Sequence, residues 1–243
     1  MKSKMIVVGG ASGAVGEGLV AHLLSKGNSV IAVLRTQLKI DELHQFLKEA
    51  NISAENLICI VNGFASEEEI SQLQKELAKY PIEVAIASLG GWYHGNKLSE
   101  VPLSDLHGVI DSGLTSHLRF AKAVLPLLQK QSKANFIMIN GGAAEYVVQH
   151  SGIISIVAAS QKMMAQVLAQ ELQHSTVHVH SVAAFDMVKT RQRGNDGQLW
   201  LTPAKIADYI LALVDSNTSQ PVWHKLQTPQ DLSRLTQADE TTV

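Results

Sequence analysis

Along the chain, short apolar runs alternate with stretches in which apolar positions recur every three or four residues. Met5–Val8 is continuously apolar; from Val15 the period changes, and Leu19, Val20, Leu23 and Leu24 fall on one helical face. The pattern predicts strand, turn, helix. Ser29–Leu34 is the second strand, followed by a charged helix near Asp41–Glu49 and a third strand at Leu57–Val61. Ser66 ahead of Glu67–Glu69 reads as an N-cap before an acidic first turn, where oxygen atoms meet the unpaired amides of a helix start. This helix runs to about Lys79, Pro81 follows its end, and Val84–Ser88 is the fourth strand.

The second half repeats the alternation with longer helices. Pro102 and Ser104 open one that extends to about Gln129, with Pro126 bending or tightening its last turn. A strand at 136–140, a helix over Gly152–Leu172, a strand at Thr176–Val182, a helix over Pro203–Val214 and a short strand at Pro221–Trp223 complete the series. Near-continuous apolar strands separated by helices belong to a parallel sheet covered on both faces. The expectation is a Rossmann-type, doubly wound α/β fold of about seven strands. No linker divides the chain, so residues 1–243 read as a single dinucleotide-binding domain, with a polar surface or frayed tail from Thr228.

Composition narrows the partners. The 243 residues are 46% hydrophobic and 17% charged, enough for a substantial core and too apolar for a disordered chain. The net charge is −2 and Lys and Arg are scattered, so the footprint of a nucleic-acid or membrane-surface binder is missing, which leaves a small molecule or another protein. No segment after the short N-terminal apolar run reads as long enough to span a bilayer, and a cytoplasmic protein is expected. Cys59, the one cysteine, lies in LICIV and reads as a buried thiol. His174, His178 and His180 lack a carboxylate or cysteine in register, so no metal site is expected.

The chemistry begins at VGGASGAVGEG, residues 8–18, between the first strand and first helix. A pyrophosphate needs close backbone there, which a Cβ would obstruct, and a helix N-terminus supplies free N–H groups and positive potential. Gly10, Gly13 and Gly16 are suitably placed, with Ser12 and Val15 between them, although the spacing departs from a strict G-x-G-x-x-G. At the end of the second strand, Leu34-Arg35-Thr36 has no acid before Asp41. A carboxylate there would hold a ribose 2′-hydroxyl and repel a 2′-phosphate, whereas Arg35 can grip the phosphate, so NADP(H) is expected over NAD(H).

Over nearly its whole length the chain resembles the short-chain dehydrogenase/reductase family. VGGASGAVG is similar to the family's first turn, with Gly9 in place of its threonine and Ala14 in place of its middle glycine. VNGF, 61–64, resembles the strand end that meets the adenine, with Asn62 where aspartate is usual. ASLGG, 87–91, resembles the Asn-Asn-Ala-Gly segment and retains Gly90. LRFAKAVLP, 118–126, SQKMMAQVLAQEL, 160–172, and VHVHSVAAF, 177–185, are similar to the family's interface helix, catalytic-lysine helix and following strand, with Ala184 and Phe185 in place of a Pro-Gly pair.

The resemblance implies hydride and proton exchange with a carbonyl or alcohol. In the family a tyrosine delivers the proton, a lysine four residues later lowers its pKa and holds the ribose, and a serine positions the substrate oxygen. The matching pair is Ala158 and Lys162, with Gly141 at the serine position and Gly113 at an upstream asparagine. Cofactor binding is therefore expected of Gly10, Ser12, Gly13, Val15, Gly16, Arg35, Asn62, Gly90 and Lys162, and catalysis of Lys162 with Tyr146 as substitute donor. His150, Ser155, Tyr93 and His94 are further donors near this region. Residues 91–95 (GWYHG) are expected to wall the substrate, 189–197 to form a mobile lid, and Trp200 to fall in the substrate flap. Three functions follow: an NADP(H)-binding oxidoreductase with an atypical donor, a catalytically inactive dinucleotide-binding sensor or scaffold, or a homologue of the fold alone. The resemblance also implies a homodimer or homotetramer through the helices at 104–129 and 152–172.

Overall fold

The computed structural model describes residues 3–193, 200–216 and 219–233. Residues 194–197 of the expected lid and the tail beyond 233 lie outside them. Seven strands, β1 (Met5–Gly9), β2 (Ser29–Leu34), β3 (Leu57–Val61), β4 (Val84–Ala87), β5 (Ala134–Gly141), β6 (Val177–Ala184) and β7 (Trp223–Leu226), pair in the order β3-β2-β1-β4-β5-β6-β7. Every pairing is parallel. The chain winds outward from β1 to β3, crosses back to β4 and winds the other way. That reversal leaves a crevice between β1 and β4 at the carboxyl ends of the strands, where open α/β sheets hold ligands.

Helices α1 (Gly16–Ser25), α2 (Gln37–Glu49), α3 (Glu67–Leu77), α4 (Leu103–Val109), α5 (Ser116–Leu128), α6 (Gly152–Glu171) and α7 (Pro203–Asp215) cover the sheet. Successive strand side chains point to opposite faces. Ile6 and Val8 accordingly pack with Leu19 of α1, Leu43 of α2 and Ile210 of α7. Val7 packs on the other side with Leu73 of α3, Phe120 of α5 and Ala165 of α6. Ser66 caps α3 by accepting from the Glu69 amide, as its sequence predicts.

Several elements depart from the hydrophobic pattern for identifiable reasons. Helix α2 starts at Gln37, ahead of the charged stretch, because the Thr36 hydroxyl accepts from the Lys39 amide. The helix expected over 104–129 is interrupted by a wider π-turn at Ile110–Thr115. Strand β7 lies after Pro221, which has no N–H for a ladder, and Ser181 pairs with Trp223. Cys59 is half-buried because β3 is a sheet edge, and the partial burial pushes its thiol pKa up.

Helix α6 corrects the membrane expectation on length and composition. Its 20 residues, at mean hydropathy 1.3, are long and apolar enough to cross a bilayer. In the fold those apolar residues serve two sides: Ile153, Val157 and Ala165 are buried, while Ile156, Met163 and Val167 are exposed. His180 of β6 lies in a buried chain in which His224 Nε2 is 3.1 Å from His180 Nδ1 and Tyr209 Oη is 2.8 Å from His224 Nδ1. Burial pushes both imidazoles down to about 4, so they are neutral near pH 7.

A tight backbone approach lies at the end of β1. Gly10 has φ +78°, and a Cβ on it would stand 2.1 Å from the Ser88 carbonyl oxygen. Gly10→Ala should therefore lower the unfolding free energy by about 2 kcal/mol or more, from backbone strain plus a clash with main chain. Equilibrium urea unfolding measures it, and a variant as stable as the parent would contradict this packing.

Candidate functional site

Beyond the carboxyl ends of β1, β4, β5 and β6 lies a cleft of about 440 Å³. One wall begins at the glycine turn. A Cβ on Gly16 would stand 2.0 Å from the Gly10 carbonyl oxygen, and the Gly13 amide donates to that oxygen at 3.0 Å. This fold of the chain leaves the amides of Ser12, Ala14, Val15 and Gly16 with no hydrogen-bond acceptor among the described residues. They stand at the start of α1, where the helix end is positive. Glu17 in the first turn would oppose an anion, but Arg191 grips it from Nε at 3.2 Å and Nη2 at 3.0 Å. Unpaired donors, no obstructing side chains and a neutralised carboxylate fit the diphosphate of a dinucleotide.

Gly13, Val15 and Gly90 line the cleft. Gly10, Ser12 and Gly16 shape the turn, and Gly90, at φ +95°, meets the backbone of Gly113, whose Cα would be 3.2 Å from an added Cβ. Arg35 is exposed just past β2, and the pairing of Gly9 with Val33 carries it alongside the glycine turn. Asn62, expected to meet the adenine, has its carboxamide engaged by the local turn. Its Oδ1 accepts from the Phe64 amide at 2.6 Å and its Nδ2 donates to the Glu69 carbonyl at 3.0 Å.

The largest displacement from the sequence expectation concerns Lys162. Its ammonium donates to Glu145 Oε1 at 2.6 Å and lies 4.8 Å from the Trp223 ring centre, and Lys162 is not among the residues that line the cleft. Lys225 meets the other carboxylate oxygen at 2.5 Å. Hydrogen bonds from Lys162 and then Lys225 hold the Glu145 pKa below the ordinary carboxylate range. The i, i+4 pair of α6 that does line the cleft is Ile154 and Ala158, joined by Val157 and Gln161. Lys162 sits one turn beyond Ala158, where the helix has rotated its side chain toward the β5–α6 loop and β7.

Tyr146 also lines the cleft. Its ring lies over Gly142, where a Cβ would be 2.4 Å from Cε1, and edge-on to Phe185 with centres 6.0 Å apart. Its hydroxyl, 3.4 Å from the Phe185 carbonyl oxygen, is only loosely held. The other candidate donors are engaged in holding loops. His150 Nδ1 is 3.2 Å from the Gly95 carbonyl oxygen and its ring packs on His94, Tyr93 donates to Asp105 at 3.0 Å, and Ser155 reaches the Tyr146 carbonyl at 3.5 Å. Trp92 belongs to the cleft wall, as do Met187, Val188 and Arg193 of the segment after β6. Trp200 instead packs on the core layer of α1 and α7.

Gln161, Ile154 and Asn140 are cleft residues that motif matching passed over. The helical spacing of Ile154, Ala158 and Gln161 would have found two of them, since positions three and four apart share a face. Asn140 carries no such signal. Its Nδ2 donates to the Ala158 carbonyl at 3.0 Å and its Oδ1 accepts from the Gly141 amide at 2.7 Å, so it fastens β5 to α6.

Comparison with known proteins gives the same frame. An uncharacterized oxidoreductase of Staphylococcus aureus strain MRSA252 is 26% identical over 216 residues, covering 87% of this chain and 90% of that protein. An NADP-dependent 3-hydroxy acid dehydrogenase of Shigella flexneri is 24% identical over 225 residues, covering 90% of this chain and 87% of that protein. Among solved structures, ElxO with NADP bound superposes with a TM-score of 0.80 at 17% identity, covering 93% of this chain and 96% of that one. The family model for short chain dehydrogenases matches residues 4–198, and with it the strand order and the glycine turn agree: the chain belongs to the short chain dehydrogenase family.

Proposed function

We propose that the protein is an NADP(H)-dependent oxidoreductase acting on a small carbonyl or alcohol, with Tyr146 as its proton donor. The observation that carries this reading is the meeting of two features in one cleft: unpaired amides at the start of α1 and a loosely held phenol. The names of two similar proteins, an NADP-dependent dehydrogenase and ElxO with NADP bound, support the cofactor.

The amides of Ser12, Ala14, Val15 and Gly16 would hold the diphosphate, and Arg35 would make a charge-assisted contact with the 2′-phosphate. A nicotinamide bound there would supply or accept the hydride. Tyr146, 47% exposed, gives its proton to the substrate oxygen during reduction and recovers one from solvent. The Trp92, Ile154 and Phe185 side chains dry the space around that oxygen. Glu145, clamped between Lys162 and Lys225, fixes the loop beside Tyr146, so Lys162 positions the donor rather than touching the ribose.

A second reading, dinucleotide binding without turnover, is favoured by the aliphatic pair Ile154 and Ala158 at the cleft-facing positions of α6. Either reading is compatible with a homodimer or homotetramer built on α5 and α6, whose surfaces expose Leu118, Ile156, Met163 and Val167.

Fluorescence titration with NADPH and NADH tests the cofactor assignment. Arg35→Ala should weaken NADPH about tenfold or more and leave NADH nearly unchanged; equal losses would refute the phosphate contact. Tyr146→Phe should slow reduction across a panel of aldehydes, ketones and quinones by about 10²-fold or more with NADPH affinity retained. NADPH binding without turnover by the unaltered protein would establish the second reading. Lys162→Ala should leave NADPH affinity unchanged, whereas a loss matching that of Arg35→Ala would restore a direct ligand contact for the lysine.

A further inference from the structure

Among the polar side chains of the cleft that the proposed mechanism does not use, one is fixed in orientation by the fold. Gln161 lies on α6 three residues past Ala158; it lines the cleft yet is only 6% exposed. Its Nε2 donates to the Gly113 carbonyl at 2.9 Å. That carbonyl belongs to the π-turn at 110–115, where the helical ladder is interrupted. A side chain at Gly113 would block the approach of α6, since a Cβ there would stand 2.7 Å from Val157 Cγ1. The buried His117 ring also reaches the Gly113 carbonyl through Nδ1, so the contact is built from two elements of the fold.

The carboxamide orientation follows from this partner. Reversing the amide would set oxygen against the Gly113 carbonyl oxygen, so nitrogen takes that side. The group is planar, and its Oε1 then projects away from Gly113. It has no hydrogen-bond donor among the described residues. The acceptor belongs to a residue that lines the cleft, where a ligand hydroxyl would match it.

We propose that Gln161 Oε1 is the hydroxyl-accepting group of the cleft floor, oriented by the Gly113 carbonyl and filled by a hydroxyl of the bound ligand. The hydroxyl belongs either to the nicotinamide ribose of the dinucleotide or to an alcohol substrate. The inference rests on the dinucleotide reading of the cleft. It adds a binding residue to α6 at a position distinct from Lys162.

Gln161→Met keeps the length of the side chain and removes both its donor and its acceptor. Binding is measured by fluorescence titration with NADPH, and by competition with adenosine 2′,5′-bisphosphate, which lacks the nicotinamide ribose. A ribose hydroxyl predicts NADPH weakened about tenfold with the bisphosphate unchanged. An alcohol hydroxyl predicts NADPH unchanged, and a melting shift produced by secondary alcohols on the NADP⁺-loaded parent that disappears in the variant. If NADPH binding is unchanged and no alcohol distinguishes variant from parent, including where the parent takes none, the proposal is overturned. An equal loss for NADPH and the bisphosphate overturns it as well, because it marks a general disturbance of the cleft. Gln161→Leu carries the same test should the Met variant melt early without ligand. Failure of the parent to bind either NADPH or the bisphosphate would instead overturn the dinucleotide reading, and this inference with it.

Discussion

Two backbone contacts at the end of β1 govern the rest of the molecule: Gly10 against the Ser88 carbonyl and Gly16 against the Gly10 carbonyl. Each leaves too little space for a Cβ, at 2.1 and 2.0 Å. The first joins the chain after β1 to the chain after β4, across the reversal in strand order. The second folds the start of α1 back onto the turn. Together they fix a set of unpaired amides at the mouth of a cleft whose other walls come from β5, α6 and the segment after β6. The contact of Arg191 with Glu17 joins the start of α1 to the segment after β6.

Sequence patterning captured the strands that are buried on both faces, because continuous apolar runs have few other uses. It was less informative where one local contact sets a boundary. Thr36 starts α2 through a single hydroxyl bond, and the placement of β7 depends on which amides can pair with β6. The apolar run at Cys59 suggested full burial, but strand order makes β3 an edge, and strand order is a property of the whole chain. Length and composition together could have flagged α6 as an unusually apolar helix; its two-sided use emerges only from packing.

The glycine turn was legible because close approach demands glycine and leaves a residue pattern. The chemical end of the cleft was less so. A motif match assigns Ala158 and Lys162 to one role, whereas the helix turns Ile154 and Ala158 to the cleft and commits Lys162 to Glu145. Asn62 likewise looks available as an isolated letter but is engaged at both ends of its carboxamide. Gln161 presents the opposite case: an ordinary residue in the sequence that the π-turn at Gly113 makes a fixed, one-sided acceptor. Three-dimensional commitments of polar atoms, more than residue type, separate groups free for a ligand from those already spent.

The central claim is that the free amides of Ser12, Ala14, Val15 and Gly16 receive a diphosphate. A crystal structure of the protein with NADPH tests it most directly. The account predicts the diphosphate against those amides, the 2′-phosphate at Arg35 and the nicotinamide end in the cleft beside Tyr146. Nucleotide bound at another surface, with the glycine turn left facing solvent, would contradict it.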